Sequence, residues 1–205
     1  MDTAGFLALQ GLFTAHVTGN FVTLAAALAF GTSGVITKLL ALPVFCAVVI
    51  LTRVVSHGFP ARNWAVLPTM LTVKVLLLVI GAVLAVIFGP FKNGDSASAM
   101  VTGLILVAAM AIQNAVHRIH LGNTPPSTLM TGTTTQFMID VADVIIGVPP
   151  DKREATRQRM RAMGAAMASF AMGAALAALL FHQVGTWCFV VAPIVGLATR
   201  VIAPR

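Results

Sequence analysis

The chain has 205 residues, of which 58% are hydrophobic and 9% charged, with a formal net charge of +7 and a mean hydropathy of +0.94. Soluble domains carry roughly a quarter charged residues, so this composition excludes an ordinary soluble enzyme or binding domain. Nor is the basic excess a nucleic-acid footprint: Lys152, Arg153, Arg157, Arg159 and Arg161 fall in one short polar run, the pattern of a topogenic loop.

Near-spanning apolar stretches cover about 3–30, 36–56, 64–91, 98–117, 129–148, 162–182 and 185–203. A helix crosses the hydrocarbon core with about 20 apolar residues, and continuous rather than alternating apolar runs argue against a β-barrel. The expected fold is all-α: a polytopic transmembrane helical bundle of six to seven spanning segments, with residues 1–205 as a single integral membrane domain. The first segment contains His16-Val17-Thr18-Gly19-Asn20. Glycine weakens the helix there, and the polar side chains can satisfy the backbone groups that a break frees. His16 either titrates near neutral pH or caps the interrupted helix.

Segments two, three and seven hold Pro43, Pro68 and Pro193, which are expected to kink them. Ionisable groups in lipid are costly and are functional candidates by default. Lys74 is one, too deep in segment three for easy snorkelling, and it calls for an acidic or carbonyl partner. Segment four ends in Gln113 and Asn114, adjacent amides that point about 100° apart, so at most one faces a central site. His117 and His120 have the spacing of a metal pair, but no third ligand supports a metal. Segment five opens with Met130-Thr131-Gly132-Thr133, and Asp140 and Asp143 share a face of its helix. Paired carboxylates there suit a proton carrier; the plainer reading solvates Asp143 and pairs Asp140 with Lys74. Segment six spaces small residues four apart, Ala165, Ser169, Gly173 and Ala177, as close helix packing in lipid requires. Cys46 and Cys188 read as apolar packing residues, with no redox or metal framework.

Thr18-Gly19 and Thr131-Gly132 each open a block of an apolar helix, a polar loop and two further helices, which is read as an internal duplication: 1–97 as a first, truncated repeat and 98–205 as a second. Whether the repeats are parallel or inverted stays open. Two broken segments in corresponding positions point to a transporter's binding site.

Phe6-Leu7-Ala8-Leu9, Gly11-Leu12-Phe13-Thr14-Ala15-His16-Val17-Thr18-Gly19-Asn20, Ala111-Ile112-Gln113-Asn114-Ala115 and Met130-Thr131-Gly132-Thr133 together resemble the motifs of the YoaK-like family of bacterial inner-membrane proteins, a domain of unknown function. The resemblance spans essentially the whole chain. It implies about six helices, no established activity, and an apolar helix upstream of the residue matching Asp2, so the first helix reads as truncated.

The functional expectation is a small-solute transporter or channel, not an enzyme and without cofactor or metal. Its substrate site would comprise His16, Thr18, Gly19, Asn20, Gln113, Asn114, Thr131, Gly132 and Thr133, with Lys74, Asp140 and Asp143 as coupling or buried charges. Helix N-termini favour a small anionic or polar metabolite, and protons are the natural coupling ion if His16 or Asp140 titrates. The alternative is a non-catalytic accessory protein, packing with a partner or with its own copies through 162–182. Lys38, Lys92, the basic run, Arg200 and Arg205 face Arg53, Arg62 and Arg118 across the expected membrane, which places 149–161 and the C-terminus in the cytoplasm of a multi-pass inner-membrane protein.

Overall fold

The computed structural model describes residues 1–58, 66–122, 124–125, 128 and 130–202, with side chains through 198. Arg62, Leu129, Arg205 and the side chain of Arg200, used above for topology and motif, lie outside the described residues. The described chain is helical: α1 (Asp2–Ala8), α2 (Val17–Phe30), α3 (Val35–Gly58), α4 (Val66–Phe88), α5 (Ala97–His120), α6 (Met130–Ile146), α7 (Arg153–Val184), a 3-10 segment (Gly185–Val190) and α8 (Val191–Ile202). Among the described residues, four helical stretches are long and apolar enough to cross a membrane: α3, α4, α5, and the stretch of α7, the 3-10 segment and α8 taken together.

The first apolar segment is interrupted earlier than its Thr-Gly phrase suggests. The helix stops at Ala8, where Gln10 (φ 54°) and Gly11 (φ 83°) take left-handed backbone conformations that turn the chain. It resumes at Val17, so Thr18 and Gly19 lie in the first turn of α2 instead of in the break. Gly31, at φ 65°, ends α2 in a left-handed cap. The 3-10 segment follows α7 without a loop, but Gly185, at φ 58°, breaks the helix between segments six and seven. The basic stretch read as a loop is mostly helix: α7 starts at Arg153 and already contains Arg157, Arg159 and Arg161.

The core lies where α4 and α5 cross α1 and the 3-10 segment. Leu12, Leu106 and Phe189 are fully buried there. Close approach depends on small residues: a Cβ on Gly103 would sit 2.5 Å from Leu12 Cδ2. The turns before α3 and before α5 are bound together by Asp95. Its carboxylate accepts from the backbone N–H of Gly34 at 2.8 Å, Val35 at 3.0 Å and Thr37 at 3.0 Å, and from the Thr37 hydroxyl at 3.3 Å. These donors would otherwise be orphans of the α3 N-terminus. Gln10 Nε2 donates to Phe91 O at 2.9 Å beside this junction, tying the turn after α1 to the same end of the bundle.

Candidate functional site

The chain between α1 and α2 is shaped by two side chains. Asn20, one turn into α2, reaches back to Phe13: Phe13 N donates to Asn20 Oδ1 at 2.8 Å, and Asn20 Nδ2 donates to Phe13 O at 2.7 Å. Asp2 closes the other side, accepting from Ala15 N at 2.7 Å and Thr14 Oγ1 at 3.2 Å, and pairing with His16 Nδ1. The interruption inside an apolar segment is therefore satisfied by side chains, as lipid demands. Gly19 lies under the Phe13 ring, where a Cβ would fall 2.6 Å from Cδ2. His16 is the N-cap residue of α2. Its ring lies edge-on to Phe13 and Phe170, with centroids 5.8 and 6.2 Å away, and hydrogen-bonds the main chain of Thr128.

Beside this interruption lies a cavity of about 730 Å³ between α1, α4, α5, α7 and α8. Its wall is largely apolar, with Asp2, His16, Lys74, Gln113, Thr128 and Ser169 among its polar members. It continues along α5 to His117, Leu121 and Thr124 at that helix's C-terminal end. Lys74, 8% exposed on α4, donates to Gln113 Oε1 at a long 3.4 Å. Asn114, next to Gln113, does not line this cavity: it accepts from Thr128 Oγ1 at 2.6 Å and donates to Met110 O at 3.0 Å.

The charge pairing expected between Lys74 and Asp140 is not made. Asp140, fully buried on α6, receives Arg159 of α7 in a two-pronged pair, Nε at 2.7 Å and an Nη at 2.6 Å, and Gln136 Nε2 at 2.9 Å. The reason is placement: α6 packs on α7 and not against α4. Asp143 is exposed.

The Thr-Gly phrases themselves do not line the cavity. Thr18 is exposed, and so are Thr131 and Gly132. Nothing lies within 4 Å of a Cβ placed on Gly132, and Thr133 is buried. The residues just ahead of each phrase, Ala15 and His16 in one case and Thr128 in the other, form the wall instead. Asp2, Phe13, Thr128 and Phe170 complete this region and were not among the expected site residues, although Asp2 and Phe13 belong to the stretch that carries the family resemblance. An acidic residue at the edge of an apolar stretch was the available signal for Asp2.

The family follows from the whole chain. Residues 1–202 match the model of the family described as protein of unknown function (DUF1275). The chain belongs to that family. No curated protein and no solved structure matches it.

Proposed function

We propose that this member of the DUF1275 family is a transporter or channel that carries a small polar or anionic solute across the bacterial inner membrane. The observation that carries the reading is the cavity of about 730 Å³, which runs from buried Lys74 and Gln113 to the end of α5. Its volume falls in the range of ligand sites, and its few polar groups in an apolar wall are the usual composition of one. The interrupted segment α1–α2 forms one side of it, as broken helices do in transporters. The Asp2–His16 pair, on the same wall, is the natural place for a coupled proton.

The finer topology belongs to this proposal. Counting α2 and α6 with the four long stretches gives six crossing or partly crossing elements, and their shared Thr-Gly openings support two repeats, 1–97 and 98–205. The likeness to the YoaK-like proteins supports the inner membrane, and the basic start of α7 supports a cytoplasmic 149–161 and C-terminus.

A second reading, a non-catalytic accessory protein, is favoured by the α7 face. Ser169 and Gly173 are exposed, and nothing lies within 4 Å of a Cβ on Gly173. The experiment that separates the two is a thermal-shift screen of the purified chain against metabolite fractions, followed by flux in proteoliposomes. Transport predicts stabilisation by an organic-anion fraction, lost in Gln113→Leu, and flux of the same solute. No stabilisation by any fraction, with a partner protein lost on Ala165→Leu, an exposed stripe position away from the cavity, would replace transport by the accessory role.

A further inference from the structure

The charge balance and wall of the large cavity specify what it takes, on the premise that the cavity is the solute site. Among the described residues the ion pairs are His16 with Asp2 and Arg159 with Asp140. The Asp2 carboxylate on the cavity wall is already engaged by His16, Thr14 and Ala15. Lys74 is therefore a buried cation met by a neutral amide oxygen at 3.4 Å. A charge taken out of water is costly unless an opposite charge and hydrogen bonds compensate it. Away from Lys74 the wall is made of side chains such as Leu71, Leu78, Met110, Val116, Leu176 and Leu180. A bare inorganic anion would satisfy Lys74 and leave most of about 730 Å³ unfilled. A sugar-like solute would bring more hydroxyls than the few polar groups of a largely apolar wall can pair.

We infer that the cavity binds an amphiphilic organic monoanion, its carboxylate on Lys74 Nζ and the Gln113 amide and its apolar body along α4, α5 and α7. Lys74 is the wall's one lysine or arginine, and among the described residues it has no carboxylate partner, which sets a single negative charge on the ligand head. The apolar wall sets the rest of the molecule, and His117 and Thr124 mark the end by which it enters. The anionic head of a phospholipid offers related chemistry, and the test separates it from a free carboxylate.

The full chain is placed in phosphatidylcholine nanodiscs, and binding of radiolabelled octanoate is measured at equilibrium. The expected result is saturable binding that acetate and octylammonium do not displace. Kd should rise at least about tenfold in Lys74→Met, as loss of a charge-assisted bond implies, and stay near the parent value in Lys74→Arg. Gly173→Leu, which projects into the cavity from α7 without touching Lys74, should also weaken binding, and size-exclusion profiles check that each variant is folded. Unchanged binding in Lys74→Met, or displacement by octylammonium, overturns the inference. So does abolition of octanoate binding by phosphatidylglycerol in the disc, which assigns the site to lipid. Octanesulfonate flux in proteoliposomes keeps the two proposals apart, since a sulfonate stays charged. Binding without flux removes the transporter reading and leaves the ligand class standing; flux of another solute with no octanoate binding removes the ligand class alone.

Discussion

α2 and α6 open on the same Thr-Gly phrase, yet they meet opposite surroundings. α2 is held at its first turn: Asn20 clasps Phe13, Asp2 clasps the two residues before His16, and Gly19 lies under an aromatic ring. α6 is held near its middle, where Arg159 grips Asp140, and its Thr131 and Gly132 are exposed. The turns that follow differ in the same way. The turn after α2 is fastened by Asp95 to the turn before α5, whereas the turn after α6 makes local contacts, such as Arg153 Nε donating to Val148 O at 3.1 Å. The comparison teaches that a repeated phrase can keep its helix-starting role while only one copy is clasped by side chains at its first turn.

The largest effect that would break this comparison is expected at Asn20. Asn20→Ala leaves the Phe13 N–H and carbonyl without their partner, and should cost about 3 kcal/mol in denaturant titrations of the purified chain. A loss under 1 kcal/mol would show that the first phrase is no better anchored than the second. Arg159→Met comes next, with an expected loss of about 2 kcal/mol, because Asp140 stays buried with only Gln136 to donate to it. Limited proteolysis should then cut around α6 before the rest of the chain, and uniform cutting would mean that α6 is held by other contacts.

The two glycines give a smaller effect of opposite sign. Gly19→Ala pushes a methyl into the Phe13 ring and should destabilise by about 1 kcal/mol. Gly132→Ala meets open space on an exposed helix and should stabilise by up to about 1 kcal/mol. Equal shifts in melting temperature would erase the asymmetry.

Acid sensitivity at Asp95 is the finest test. Burial pushes this carboxyl up, but the Thr37, Gly34 and Val35 N–H groups and the Thr37 hydroxyl outweigh it and hold the group below its ordinary value. A depressed folded value stabilises above the unfolded value of about 3.9, and that stabilisation is lost as pH falls through the folded one. The parent's melting temperature should therefore fall below about pH 4, and Asp95→Asn should remove part of that fall while lowering the melting temperature at neutral pH. An unchanged acid profile in Asp95→Asn would deny the junction its role.

The long apolar helices α3, α4 and α5 were legible because lipid-spanning length leaves a continuous apolar run. The interruption near residue 16 was legible in kind but not in place. Thr18 and Gly19 drew attention as weak helix formers, whereas the turn is made upstream by Gln10 and Gly11 and secured by Asp2 and Asn20, contacts that local sequence does not encode. Lys74 and Asp140 were paired by depth alone. Depth does not say which helices are neighbours, and α6 packs on α7, so Arg159 reached the carboxylate first. Gln113 and Asn114 show what geometry can do without neighbours: amides about 100° apart on a helix ended on different surfaces, Gln113 on the cavity and Asn114 on Thr128.

The central claim is that the space beside the first interruption is an accessible solute site, and thiol labelling tests it most directly. In a Cys46→Ala/Cys188→Ala background in nanodiscs, single cysteines at Gln113, Leu121 and Leu106 are exposed to a water-soluble, membrane-impermeant methanethiosulfonate. The account predicts that Gln113→Cys reacts at a rate near that of Leu121→Cys and is protected by octanoate, while Leu106→Cys in the core stays unlabelled. A Gln113→Cys as inert as Leu106→Cys would contradict it.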